Sequence, residues 1–415
     1  MTTISARRVL LPVGPGSGLV SDVAIDLDET GTITDVRPMR SGDPEPLDGL
    51  VIPGLVNAHL HLELSNLAGR VRGGFGLPLW VRTLIAQRAE GTAEELQAAM
   101  VAAARSMVDA GVVAVCDVAN GDGTAAVLAA MGLQGVVQRE VLGMDARALP
   151  ERLQQALQPD EEILGERGHI AIRTSPHATY STAPTLIRAA VLGRQEREFE
   201  RSITETDHKR RSSARPPATI HCSEDREELV FIRSGAGAWS KLLDQMGLDW
   251  RWFQAPGCSP VEYLESLDVL GPDLLVVHGV HLSNKDRHLL VRRGSTLVLC
   301  PRSNLHITGD LPDLPSLIDE GVALAIGTDS LASCPDLDPL GCVHALADAF
   351  PAVEVEHLLH AATAGGSDAL RLAHLGRIAI GKAPGLVLLS GVDDASALRA
   401  GVPERRVLVA AGEPA

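Results

Sequence analysis

Eight short apolar runs, spread along the middle of the chain and separated by helical patterns, constrain the fold more than any other feature. They read VIPGLVNAHL, VVAVCDVA, LQGVVQREV, HIAIRTSPH, PATIHCSE, DLLVVHGV, STLVLCPRSN and VALAIGTDS. Their apolar stretches are continuous rather than alternating, which fits strands covered on both faces. Between most of them lie helical patterns such as TAEELQAAMVAAARSMVDAG, which opens with a capping box at Thr92 and Glu95 and stops at Gly111. A second, SNKDRHLLVRRG, runs from Ser283 to Gly294. Buried strands alternating with helices predict an α/β chain whose middle is a (β/α)8 TIM-like barrel.

The two ends have another rhythm. ARRVLLPV, VSDVAIDL and DETGTITDVRP at the start, and GRIAIGKAPGLVLLSGVD and ERRVLVAAG at the finish, are short strands broken by turn residues. They predict a small β-sandwich domain formed by the two chain ends, residues 1–52 and 373–415, with the barrel at 53–372 inserted between its parts. Arg194 to Pro217, RQEREFERSITETDHKRRSSARPP, is polar and carries both charge signs. That stretch reads as an exposed helix end followed by a flexible insertion.

A length of 415 residues suits a barrel with additions, and 45% apolar residues supply its core. A net charge of −16 argues against a nucleic-acid binder, because phosphate contacts need a basic face. No apolar run reaches the roughly 18 residues of a membrane span, and no basic, then apolar, opening suggests a signal peptide. The six cysteines (Cys116, Cys222, Cys258, Cys300, Cys334 and Cys342) show no CxxC pairing and read as reduced thiols of a cytoplasmic protein.

In such a barrel the C-terminal ends of the strands form the mouth of the active site, and the polar outliers of this sequence fall there. His59 and His61 end the first run, His177 the fourth, His221 and Glu224 the fifth, His278 the sixth and Asp329 the eighth. A single strand-end histidine is more often a hydrogen-bonded structural residue, and an Asp after Gly-Thr can simply cap a helix. Five strand ends carrying such groups at one mouth point instead to shared chemistry. Residues i and i+2 of a strand point the same way, so His59 and His61 both face inward. Neutral imidazoles with a carboxylate suit a borderline-soft divalent ion such as zinc, and His221 and Asp329 can close the set from across the barrel. Iron and manganese accept the same donors. Three nitrogens, one oxygen and a place for water make a catalytic rather than a structural site. Such an ion lowers the pKa of its water to roughly 7. His278 and Glu224 remain as proton acceptor and donor.

The strings PGLVNAHLHLE, HCSE, VVHGVHLS, CPRSNLHITG and GTDSLAS, with the closing GRIAIGKAPGLVLL, resemble the amidohydrolase superfamily in its cytosine-deaminase and chlorohydrolase-like branch. The resemblance extends over nearly the whole chain. It assigns His59, His61, His221 and Asp329 to the metal and makes Glu224 the proton shuttle to a substrate ring nitrogen. It makes His278, with Asp329, the pair that deprotonates the attacking water. Binuclear members use a bridging lysine or carboxylate at the fourth strand. None of the four lysines (Lys209, Lys241, Lys285, Lys382) lies in HIAIRTSPH, so one metal ion per site is expected. A dimer is usual in that family, although no stripe here marks a homodimer interface.

The loop SPHATYS resembles the SPHxPYS loop of enzymes that deaminate adenosine-like nucleosides, with Thr179 in place of the proline; it makes His177 a substrate contact. HLHLELS, REVLG and GTDSLAS are further similar to 6-aminodeoxyfutalosine deaminases, which serve menaquinone synthesis and act on a purine nucleoside bearing a benzoate. Arg82, Arg139, Arg173 and Arg302 are candidates for that carboxylate, Trp80 for ring stacking, and Glu63 and Glu140 for the pocket wall. The alternatives are deamination of S-adenosylhomocysteine, guanine or a pterin, chloride or amide hydrolysis, and a non-catalytic structural role. The last fits poorly with a complete ligand set.

Overall fold

A computed structural model describes residues 2–13, 16–88, 90–121, 123–166, 168–192 and 215–412. The insertion expected at 194–217 lies outside these residues except for 215–217.

The chain is α/β, with three sheets among the described residues. β1 (Thr2–Val13), β2 (Gly16–Leu27), β3 (Ile33–Pro38) and β4 (Leu47–Pro53) come from the start. β5 (Leu55–Leu60), β6 (Val112–Ala119), β7 (Gln134–Val141), β8 (Glu161–Leu164) and β9 (His169–Pro176) form a second sheet, ordered β5-β6-β7-β9-β8. β10 (Ala218–Cys222), β11 (Leu274–His278), β12 (Thr296–Leu299) and β13 (Leu324–Ile326) form a third. β14 (Leu386–Ser390) and β15 (Arg405–Val409) return to the first, whose order is β15-β14-β4-β1-β2-β3.

All eight apolar runs contain strands that pair in parallel, with helices between most of them. β5, β6, β10 and β11 are buried at every position, as their unbroken apolar character demands. The two parallel sheets touch at both edges. At one seam the His221 amide donates to the His177 carbonyl at 2.9 Å. At the other, the amides of Thr328 and Asp329 both donate to the His59 carbonyl at 3.0 Å. β8 is the one strand of this region with no counterpart in the sequence reading. Its EEIL is mostly exposed and pairs antiparallel to β9 at the sheet edge, so it carries no burial signal.

The helices end where their sequences say they should. Ala93–Asp109 starts with the Thr92–Glu95 capping box, at 3.2 and 2.8 Å for the two reciprocal bonds. Asn284–Arg293 is capped by Ser283 and Asp286 and stops at Gly294, whose φ of 72° is readily adopted by glycine. No helix among the described residues is long and apolar enough to cross a membrane.

The first apolar run splits in two. Its VIP belongs to β4 and its LVNAHL to β5, with Gly54 between them. A Cβ on Gly54 would lie 2.4 Å from a Val113 methyl and 2.6 Å from the Pro384 carbonyl oxygen, so the junction needs glycine. The terminal sheet and the parallel sheets therefore press together where the first histidine strand begins.

Candidate metal centre

His59 is fully buried, and neither ring nitrogen has a hydrogen-bond partner. Burying polar nitrogen without compensation costs roughly 2–7 kcal/mol, so the site is built around something that binds it. His61 and His221 supply the neighbours. One ligand atom from each of the three histidines falls within a 4.8 Å cluster, and the Nε2 atoms of His61 and His221 are 3.3 Å apart. Asp329 Oδ1 faces the cluster, 3.6 Å from His61 Nε2 and 3.9 Å from His59 Nε2. The strand spacing explains this convergence: His59 and His61 leave the end of β5 on one side, and His221 lies on β10 across from them.

His221 and Asp329 are held from behind. His221 Nδ1 donates to the His177 carbonyl at 2.7 Å, which leaves Nε2 facing the cluster. Asp329 Oδ2 accepts from the hydroxyls of Ser303 at 2.5 Å and Ser333 at 3.1 Å, and Oδ1 accepts from the Ser330 amide at 2.7 Å. Asn57, two residues before His59, clamps Thr328 through its amide at 3.1 Å and its hydroxyl at 2.8 Å. Behind His61, the buried Asp117 carboxylate accepts from the Leu62 amide at 2.7 Å. Three non-glycine residues here take left-handed backbone: Ser223 at φ 54°, His278 at 75° and Asp329 at 63°. Such conformations cost on the order of 1–3 kcal/mol each and persist where surrounding structure over-determines them.

Burial sets the charge states. It pushes His59, His61 and His278 well below the usual histidine range, and neighbouring imidazoles add to the effect. His177 is driven down to about 4 by burial. The rings are thus neutral at pH 7, the form that ligates metal. Burial raises the Asp329 carboxyl, opposed by its serine donors and by His221. Glu224 is lifted well above the carboxylate range by burial, with the nearby charges of Asp329 and Glu228 adding to the rise. The rise favours the protonated form, the one that can give a proton away. Its Oε2 lies 3.6 Å from His278 Nε2, while His278 Nδ1 shares a 3.0 Å hydrogen bond with Asn304. Glu228 fixes the Glu224 amide at 2.9 Å and accepts from the Thr179 hydroxyl at 2.5 Å. Thr179, a departure from SPHxPYS in the sequence, thus supports the Glu224 backbone.

His61, His177, His221, Glu224, His278 and Asp329 line one cavity of about 220 Å³, with His59 immediately behind. All seven residues singled out in the sequence are brought together. Trp80, Glu63 and Glu140 line the same cavity. The four candidate arginines do not line it: Arg139 pairs with Glu161, Arg302 with Asp336, Arg173 is buried against the Pro216 and Val191 carbonyls, and Arg82 is exposed. Arg88 reaches the wall instead and pairs with Glu63 at 2.5 Å. Beside this cavity lies a larger, mainly apolar chamber of about 340 Å³. Val81, Leu142, His177 and Tyr180 wall both spaces, and Met144, Arg152, Trp239 and Leu243 line only the chamber. Arg88 and Arg152 sit on helices with no strand-end signal, and nothing in the local sequence marks them; Asn120 directly follows β6, at the end of the second apolar run, but the sequence reading does not single it out.

A model of the amidohydrolase family matches residues 50–409. A 5-methylthioadenosine/S-adenosylhomocysteine deaminase of Haloarcula marismortui is 27% identical over 325 residues, which are 76% of this chain and 64% of that enzyme. The chain thus spans a little under two thirds of that relative. The fold is similar to that of Helicobacter pylori aminofutalosine deaminase in complex with methylthio-coformycin, with a TM-score of 0.71 at 19% identity, covering 94% of this chain and 92% of the other. It is also similar to the atrazine chlorohydrolase TrzN of Arthrobacter aurescens complexed with zinc, with a TM-score of 0.69 at 16% identity, covering 93% and 86%. With a family match across most of its length and a histidine-rich centre where the strands converge, the chain belongs to the amidohydrolase family.

Proposed function

We propose that this protein is a metal-dependent deaminase of adenine nucleosides, converting 6-aminodeoxyfutalosine and water to futalosine and ammonia, a step of menaquinone synthesis. As a family member it is a hydrolase acting on carbon–nitrogen bonds. In this reading the eight parallel strands form a closed (β/α)8 barrel over 53–372, and residues 1–52 and 373–415 make one β domain. Six unpaired cysteines suit the cytoplasm.

His59, His61, His221 and Asp329 hold one divalent ion, which we take to be zinc. When bound, the ion supplies Lewis acidity and an acidified water. His278 and Asp329 accept the water's proton as its oxygen adds to the amino-bearing carbon of the purine. Glu224, whose burial favours the protonated form, donates to the adjacent ring nitrogen; the proton taken from the water passes to the amino group, which leaves as ammonia, while the new hydroxyl returns its proton to Glu224 as the carbonyl forms. His177 borders the substrate where the two cavities meet.

The observation that carries the substrate is Arg152. Arg152 borders the apolar chamber, and its guanidinium has one side-chain partner, Gln155 at 2.9 Å, with no carboxylate among the described residues. The chamber's Asp145 is already engaged through both oxygens by Arg147. An apolar space with one open cation suits a benzoate. A homocysteine tail would also ask for a free carboxylate to meet its ammonium, and a methylthio group would leave the arginine unused. The test is ammonia release by metal-replete protein from 6-aminodeoxyfutalosine, adenosine, 5′-methylthioadenosine, S-adenosylhomocysteine, guanine and a chlorotriazine. Preferential turnover of the first is expected. Chloride from the triazine without ammonia from any nucleoside would replace deamination by dehalogenation.

A further inference from the structure

Glu140 is an unassigned acceptor in the metal cavity, beside the His177 that walls both spaces. It stands at the inner end of β7, lines the metal pocket, and its side chain is 4% exposed. Oε2 accepts from the Asn120 side-chain amide at 2.8 Å, whereas Oε1 is buried with no hydrogen-bond partner. His177 Nε2 lies 3.9 Å from Oε1, and His177 walls both cavities.

The other carboxylate of this wall is fully used. Glu63 Oε2 accepts from the amides of Asn120 and Gly121, both at 3.0 Å, and Oε1 faces Arg88. Asn120 bridges the pair, so Glu63 and Arg88 brace the amide that orients Glu140. Along the cavity, the groups run from a metal centre, past the open acceptor of Glu140, to a junction that His177 and Tyr180 help to wall and then an apolar chamber. A 5′-substituted nucleoside has the same sequence of chemistries: a purine, a sugar with two vicinal hydroxyls, and a substituent beyond. Leaving a buried carboxylate oxygen unpaired is costly, and a hydroxyl donor removes that cost.

Building on the deaminase reading, we infer that Glu140 accepts a hydrogen bond from the sugar diol of the substrate, so that this enzyme selects ribosyl substrates. The same residue has a competing use: Glu140, His177 and His221 also place ligand atoms within 4.8 Å of one another, as a second ion would require. His221 already turns its Nε2 toward His61, so that trio could not be filled independently of the first centre.

The experiment compares kcat/KM for the best-used adenine nucleoside of the panel above and for its 2′,3′-dideoxy counterpart, in the wild type and in Glu140→Gln. Asn120 donates to one side of the residue, so the glutamine carbonyl turns toward Asn120 and its amide replaces the open acceptor with a donor. The wild type should prefer the ribosyl compound by about ten- to a hundred-fold, the usual worth of a buried charge-assisted hydrogen bond. In Glu140→Gln that ratio should fall to within a few-fold, with one ion per chain in both proteins. An unchanged ratio in the variant, or loss of a second equivalent of metal from it, would overturn the inference and leave the deaminase standing. If Glu140→Gln does not accumulate folded, Glu140→Asp and the wild-type ratio decide, since a wild type indifferent to the diol overturns it equally. Failure of every adenine nucleoside to release ammonia would remove the deaminase reading itself.

Discussion

The ligand pole and the chamber wall are a few ångströms apart and are built on opposite plans. At the pole, His221, His278 and Asp329 sit at or just beyond strand ends, buried and held from behind by a carbonyl, an amide or serine hydroxyls. On the wall, Val81 and Ile85 come from the helix Leu77–Arg88, Arg152 from Leu149–Ala156 and Leu242 from Ala238–Gln245. Several of these side chains keep a solvent face, with Ile85 50% and Met246 49% exposed. Bond making needs fixed donors, and strand ends with second partners provide them. Recognition of the far end of a substrate tolerates movable side chains on peripheral helices, and that is where variation among related enzymes would be cheapest.

Breaking the pole should have the largest consequence. Glu224→Gln removes the proton donor but keeps its shape, so kcat should fall by roughly 10²–10⁴-fold while metal content stays at one ion per chain. Steady-state kinetics beside metal analysis would check both halves. A comparable loss of metal would show that Glu224 belongs to the ligand set instead. Breaking the wall should do something milder and different in kind. With Arg152→Ala, KM for 6-aminodeoxyfutalosine should rise about tenfold with kcat little changed, and the parameters for adenosine should barely move. An equal effect on both substrates would remove Arg152 from carboxylate recognition.

The third test leaves activity aside and sharpens the contrast by asking what the pole costs. Burial raises the Asp117 carboxyl to about 8 from an ordinary value of 3.8. Below pH 3.8 both folded and unfolded chains hold the proton, and the group is neutral to stability. Between there and about 8 the unfolded chain releases a proton that the folded one keeps, so stability falls by up to about 1.4 kcal/mol per pH unit. Asp117→Asn keeps an acceptor for the Leu62 amide and removes the ionisation. Its melting temperature should therefore drop less than that of the wild type between pH 5 and pH 8, as thermal melts would show. Parallel curves would mean that Asp117 is ionised in the fold.

The same contrast explains what could be read from the sequence. His59 and His61 announce themselves by i, i+2 spacing in an apolar run, and His221, His278 and Asp329 by ending such runs. The eight parallel strands were equally legible because burial on both faces forces continuous apolar sequence. β8 was not, since a short exposed edge strand needs no particular residues. Arginine is common and its role is decided by where a helix turns. Arg139 and Arg302 stand near strand ends yet are spent on Glu161 and Asp336, while Arg152, on a helix with no motif, lines the chamber. Asn57 and Ser303 are a middle case: both lie inside recognised strings, but only the fold shows that they grip Thr328 and Asp329.

In the terminal sheet, β4 lies between β1 and β14, and β14 follows about 330 residues later in the chain. On a ribosome adding roughly 5–20 residues each second, one edge of β4 would wait on the order of tens of seconds for its partner. That edge is apolar, and a bare strand edge invites pairing with the wrong chain. Because β4 passes through Gly54 straight into the strand of His59 and His61, the catalytic half inherits this delay. A strand made long before its partner β14 is among the last to be secured, so yield in the cell should depend on chaperones that shield nascent β4 more than on the stability of the finished enzyme.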